Sequence, residues 1–187
     1  MANLAVDIAG LALPHPLMLG SGPISIRPAD LLAFGEVASA IVTKSISVKP
    51  SRGSPKPRIA KSDHDGMLNY EGGPNPGIDA VEQILKEVCP KIPCPIIGSV
   101  SPRTLTHPSG IERVIEQFVR GGARGVELDF KYLYDQAQGR ADFGPDAMAA
   151  VIRRVRSVAD IPVIAKLAYG AIDLADLAHA AEDGGAA

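Results

Sequence analysis

Tryptophan is absent from this 187-residue chain, and aromatic residues make up only 4% of it. A core without large rings must be filled by aliphatic and small side chains. Cysteine is nearly absent too, with only Cys89 and Cys94, five positions apart. A structural zinc site takes four ligands, usually as two close pairs, and no second pair exists here. The spacing alone would allow a disulfide, but two independent thiols are the expected reading for a cytosolic chain. The four histidines share no ligand spacing and read as surface or loop residues. No excess charge of either sign is present: 19 Lys and Arg against 21 Asp and Glu leave a net charge of −2. That balance lacks the basic footprint of a nucleic-acid or anionic-membrane binder. No apolar run approaches the roughly 20 residues that a bilayer-spanning helix needs. Asp7 interrupts the only early apolar stretch, and no basic region precedes it, so no secretory leader is expected.

What the chain has in quantity is small and turn-forming residues, with 19 glycines and 16 prolines, and 46% hydrophobic residues. Short apolar runs at 16–19, 40–42, 95–100 and 162–167 have strand length, and 125–130 alternates in part and carries two acids. Each is bounded by Gly, Pro or polar residues, as strands buried on both faces of a parallel sheet should be. Helical spacing of apolar residues runs over 78–88 and 109–120, and two further helices are predicted over 146–158 and 173–182. Ser109 with Glu112 three positions on reads as a cap for the second of these. Gly184 and Gly185 read as the stop of the last. Alternating strand and helix predicts an α/β domain with a parallel sheet. The pattern does not order the strands, so a doubly wound sheet and a barrel both fit. Residues 47–76 break the rhythm with Pro, Gly, Lys and Ser. A segment that long without periodicity, placed after a strand end, is expected to be functional.

Within that segment lie the most specific motifs. Val42-Thr43-Lys44-Ser45-Ile46, followed by Arg52-Gly53-Ser54-Pro55-Lys56-Pro57-Arg58, resembles the TKS(I/T)…PR.GNP.PR signature of dihydroorotate dehydrogenases. Gly66-Met67-Leu68-Asn69-Tyr70-Glu71-Gly72-Gly73-Pro74-Asn75-Pro76-Gly77 is similar to that family's GMLNSIGLQNPG. Residues 4–11 and 16–22 resemble the start of the class 1 barrel. Pro162-Val163-Ile164-Ala165-Lys166-Leu167, then Asp173, is similar to a segment shared with dihydropyrimidine dehydrogenase. The resemblance implies a (β/α)₈ TIM barrel, of which residues 1–187 would form a single incomplete flavin-binding domain, strands one to five. It implies FMN as cofactor and a CH–CH donor of the reduced-pyrimidine type, in pyrimidine biosynthesis. It also implies a cytoplasmic protein with no nucleic-acid or membrane partner.

The resemblance also implies roles by position. Ser21, Lys44, Ser45, Ser99 and Lys166 would contact the flavin, and Lys44 would reach the substrate as well. Asn69, Tyr70, Glu71, Gly72, Gly73 and Asp129 would surround the substrate. A fixed lysine suits a reduced flavin, which gathers negative charge at one edge of its ring. Asparagine offers a donor and an acceptor in one plane, as a pyrimidine edge requires. Without the resemblance, lysines at strand ends read as surface residues with buried stems, and Asn69 and Asn75 as turn residues.

Two departures stand beside the matches. Where the family has ELN(I/L)SCPN, this chain reads Glu127-Leu128-Asp129-Phe130-Lys131-Tyr132-Leu133-Tyr134. Asp129 replaces an amide by an acceptor-only carboxylate, and Tyr132 stands at the position of the catalytic thiol. A phenol with a reference pKa of about 10 is a poorer base than a thiol at about 8.5. Tyr132 or Asp129 is thus the candidate acid/base, for a different substrate or in a site that has lost activity. The second departure is length, since a closed barrel takes ~250 residues and builds its phosphate site after strands seven and eight. The expectation is a truncated chain, or one completed by a homo-oligomer or a partner subunit, either of which could also be catalytically inactive.

Overall fold

Apolar runs buried on both faces call for a parallel sheet with helices outside it, and the computed structural model has that arrangement. It describes residues 3–63, 65–131, 144–168 and 173–187. The chain opens with an antiparallel hairpin of β1 (Val6–Ile8) and β2 (Leu11–Leu13). Its turn residues Ala9 and Gly10 both have positive φ, as tight two-residue hairpin turns require. Helix α1 (Pro28–Gly35) leads into β3 (Ile41–Val42). The long segment that follows holds a second antiparallel hairpin, β4 (Ile59–Lys61) with β5 (Met67–Asn69), solvent-exposed throughout. Regular alternation then resumes: α2 (Ile78–Val88), β6 (Ile96–Val100), α3 (Pro102–Leu105), α4 (Pro108–Gly121), β7 (Gly125–Asp129), α5 (Pro145–Val158), β8 (Val163–Lys166) and α6 (Leu174–Asp183).

Strands β3, β6, β7 and β8 are parallel and lie side by side in that order, which is also their order along the chain. A parallel bridge from Leu19 to Ile41 extends the sheet by one more position. Doubly wound sheets reverse direction at a switch point. This order never reverses, so the barrel is the alternative realised, in the part that these strands build.

Register decides what faces where. Val42 pairs with Ile97, Ile97 with Gly125, Ser99 with Glu127, Glu127 with Ile164, and Asp129 with Lys166. Partners in a parallel ladder point to the same side and alternate along each strand. Val42, Ile97, Ser99, Glu127, Asp129, Ile164 and Lys166 therefore share the face away from the helices. At its N-terminal end this face is apolar, and Leu11 and Leu13 of the first hairpin pack on Val42 and Ile97. At its C-terminal end it is polar. The opposite face carries Ile96, Val126, Leu128 and Val163, which form the main core with Leu85, Phe118, Ile152 and Leu177 of the helices. Gly98 lies on that face because the Phe118 ring packs against the backbone there. A Cβ at position 98 would fall 2.4 Å from the ring.

Several local expectations change. The apolar run at 16–19 contributes a single bridge rather than a strand. Helix α1 lacks a clear periodic signal because it buries only Leu31 and Gly35. Helix α4 starts at Pro108 with His107 as its N-cap and no side-chain cap bond, so Ser109 is not the cap. Proline at the first position presets the helical φ and donates no N–H. The N-cap of α6 is Asp173, whose carboxylate accepts from the Ala175 N–H at 2.7 Å. Both cysteines are free, and burial pushes the Cys89 thiol up to about 11. Among the described residues, no helix is long and apolar enough to cross a membrane.

Candidate active site

Six side chains from successive strand ends meet at the C-terminal edge of the sheet. Ser21 follows the bridge at Leu19, and its hydroxyl lies 3.2 Å from that of Ser45, just beyond β3. Ser99, on β6 and fully buried, donates to the Glu127 carboxylate at 2.7 Å and lies 3.1 Å from Ser45. Ser45 in turn donates to Asp129 Oδ2 at 2.9 Å. Lys166 closes the group from β8, with its Nζ 3.3 Å from Glu127 Oε1 and 3.2 Å from Asp129 Oδ2. Glu127 and Asp129 are two residues apart on one strand, so both must point to the same face. Burial works against charge on Lys166. The two flanking carboxylates outweigh it and hold the ammonium above its ordinary range.

Backbone contacts keep this edge in place. The Thr43 hydroxyl accepts from Ser99 N–H at 3.0 Å, Ile46 N–H donates to Ser99 O at 2.8 Å, and Phe130 N–H donates to Lys166 O at 3.1 Å. Asp129 Oδ1 also accepts from the Lys131 N–H at 3.2 Å. Lys44 stands beside Ser45, its N–H donating to Ser25 O at 3.0 Å. Its side chain is mostly buried and reaches out of the strand to Glu71, 2.9 Å away on the long loop. Glycines at 72 and 73, both at φ 67°, let the chain turn just beyond that contact.

Asn75 pins the base of this loop. Its buried amide accepts from Ser47 N–H at 3.2 Å and Gly77 N–H at 3.0 Å, and donates to Gly73 O at 3.2 Å. It works as a turn residue, as its Gly and Pro surroundings suggest.

Of the residues singled out in the sequence, Ser21, Ser45, Ser99, Asp129 and Lys166 form one hydrogen-bonded cluster. Lys44 and Glu71 form an ion pair at the same end of the sheet. Asn69 and Tyr70 lie on the exposed side of the second hairpin and make no side-chain bond to the cluster. Tyr132 lies outside the described residues. Glu127 was not singled out, although it bonds both Ser99 and Lys166. Its signal was two acids spaced by two in an otherwise apolar strand, which puts both in one lumen.

The family model described as dihydroorotate dehydrogenase matches residues 3–187. The catalytic subunit of dihydroorotate dehydrogenase B (NAD(+)) from Pyrococcus abyssi is 34% identical over 188 residues. Its counterpart from Thermoplasma acidophilum is 30% identical over 184 residues. These alignments cover 98% and 97% of this chain and 60% of each relative, so the chain spans about three fifths of their length. The solved ligand-free dihydroorotate dehydrogenase of Eimeria tenella superposes with a TM-score of 0.76 at 20% identity, over 98% of this chain and 60% of that one. That likeness supports the barrel fold. With the family match running almost end to end, the chain belongs to the dihydroorotate dehydrogenase family.

Proposed function

We propose that this chain carries the flavin- and substrate-facing half of an FMN-dependent oxidoreductase that oxidises a CH–CH bond in a reduced pyrimidine-type ring. The observation that carries this reading is the convergence of Ser21, Ser45, Ser99, Asp129 and Lys166 at the C-terminal strand ends, where barrel enzymes do their chemistry. The relatives' name and the extent of the match support it.

The residues fit the ring end of the cofactor. A planar isoalloxazine needs an apolar surface and hydrogen-bonding groups at its edges. Here Leu11 and Leu13, packed on Val42 and Ile97 with Ile164 beside them, form an apolar floor under a rim of hydroxyls and ammonium groups. Ser21, Ser45 and Ser99 would hold the ring's polar edge, with Lys44 and Lys166 beside it. FMN, when bound, would supply a two-electron acceptor for the substrate's hydride. Lys44 and Lys166 would place positive charge where negative charge develops, without reorganising at the moment of reaction. Asn69 and the turn from Tyr70 to Gly73 would close over the substrate. Either Tyr132 or Asp129 would take the proton from the adjacent carbon. A cytoplasmic location belongs to the same reading.

Lys44→Ala tests it. Loss of one preorganised charge-stabilising group should lower kcat/KM by about 10²–10³-fold while the far-ultraviolet circular dichroism stays unchanged. Unaltered turnover in a folded variant would refute the assignment. Flavin absorbance in the purified protein separates an oxidoreductase from a non-catalytic subunit.

A further inference from the structure

We propose that this site selects a ring donor without a carboxylate, an uncharged cyclic amide or ureide, over a carboxylate-bearing one. The inference rests on the reading of this edge as a substrate site, and it follows from charge. In this cluster three carboxylates, Glu71, Glu127 and Asp129, are ion-paired with two ammonium groups, Lys44 and Lys166. Both cations are committed. Lys44 is held 2.9 Å from Glu71, with both side chains mostly buried. Lys166 is shared between Glu127 and Asp129, whose side chains are 11% and 9% exposed.

A substrate carboxylate entering here would add a negative charge to these three and find Lys44 and Lys166 already shared. It would have to break a formed ion pair and leave that pair's carboxylate in a low-dielectric site. A neutral ring meets no such cost.

The hydrogen-bonding groups point the same way. Glu127 is 8% exposed, and its Oε1 accepts from both Ser99 and Lys166. No described residue donates to its Oε2. Asp129 is likewise an acceptor where an amide would also donate. Acceptors at the rim call for N–H groups on the ligand, which cyclic amides and ureides present along their edges. Specificity of this kind comes from a repulsive element as much as from an attractive one.

Uracil and orotate differ only by a carboxylate and serve as probes. Isothermal titration calorimetry of each, with and without FMN, reads affinity independently of turnover. Uracil should bind about 100-fold tighter than orotate, the scale of one like-charge contact in a partly screened site. Asp129→Asn and Glu71→Gln, each checked for folding by thermal melting, should narrow that gap about tenfold through tighter orotate binding. Glu71 lies on a loop, so its variant remains informative if Asp129→Asn fails to fold. Equal or tighter binding of orotate to the unaltered protein, or failure to bind either probe, would overturn the inference. So would an unchanged ratio in a folded variant. FMN binding without discrimination would refute charge selection and leave the flavin reading intact. Discrimination without FMN binding would uphold charge selection and refute the flavin reading.

Discussion

Replacing Lys166 by methionine keeps a flexible apolar stem and removes the ammonium group that Glu127 and Asp129 share. Both carboxylate oxygens lie within 3.3 Å of Nζ, so they can be no more than about 6.5 Å apart. At an effective dielectric constant of about 20, two unit charges at that distance repel by roughly 2.5 kcal/mol. Breaking a fully buried pair costs about 3–5 kcal/mol, and Lys166 is a third exposed, so the deficit should fall near 2–3 kcal/mol at neutral pH. For a chain of this length that is roughly 5–10 °C in Tm. The sign of the pH dependence follows from the same repulsion. Without the ammonium the two carboxylates repel each other, and binding a proton relieves that repulsion in the folded state. The variant therefore recovers stability as pH falls. In the unaltered protein the raised pKa of Lys166 acts elsewhere. Its contribution is complete below the ordinary ammonium pKa and fades only in strong alkali, as pH rises through the folded value. Urea unfolding followed by circular dichroism, at about pH 7 and about pH 5, should show the deficit shrinking by about half at the lower pH. A deficit below about 0.5 kcal/mol, or one that is equal at both pH values, would refute the shared-cation argument.

Asn75→Ala should destabilise the protein by about 2–3 kcal/mol, because the buried N–H groups of Ser47 and Gly77 lose their acceptor. Hydrogen exchange should speed up first at those two amides, and unchanged protection there would count against the pinning role. The Cys89 thiol, pushed up to about 11 by burial, should alkylate slowly at about pH 8 and faster only in strong alkali. Rapid labelling of the Cys89 peptide near neutrality would contradict this. Glu82 accepts from Arg120 at 3.0 Å and Lys86 at 2.7 Å, which holds its carboxyl down at about 2 from an ordinary 4.5. Its depressed pKa stabilises the fold above pH 4.5, and that contribution is lost as pH falls to about 2. The stability gap to Glu82→Gln should close across the same interval, and a gap constant throughout it would exclude this source.

Individual elements were legible in proportion to how strongly burial constrained them. Short apolar runs after proline marked β6 and β8, because strands covered on both faces admit little else, while partial alternation with two acids marked β7. Helices α2 and α4 showed themselves by apolar residues at helical spacing. Helix α1 did not, since it buries too few side chains to imprint a period. The hairpin of β4 and β5 left no trace because the residues of both strands are exposed and no core selects among them. Lys44, Ser45, Lys166 and Asp129 were found through a family resemblance. Their individual chemistry would also suit a surface.

Local sequence by itself determined the alternation of strand and helix and the lack of an apolar run long enough for a membrane-spanning helix. Each depends only on neighbouring residues or on composition. Strand order, and with it the choice between a doubly wound sheet and a barrel, was decided only by tertiary pairing. The same holds for the charge state of the site. Glu71 and Lys44 are 27 residues apart, and Glu127 and Lys166 are 39 apart. Only register and loop closure bring such groups within hydrogen-bonding distance. Coulombic coupling depends on separation in space, which no local pattern encodes.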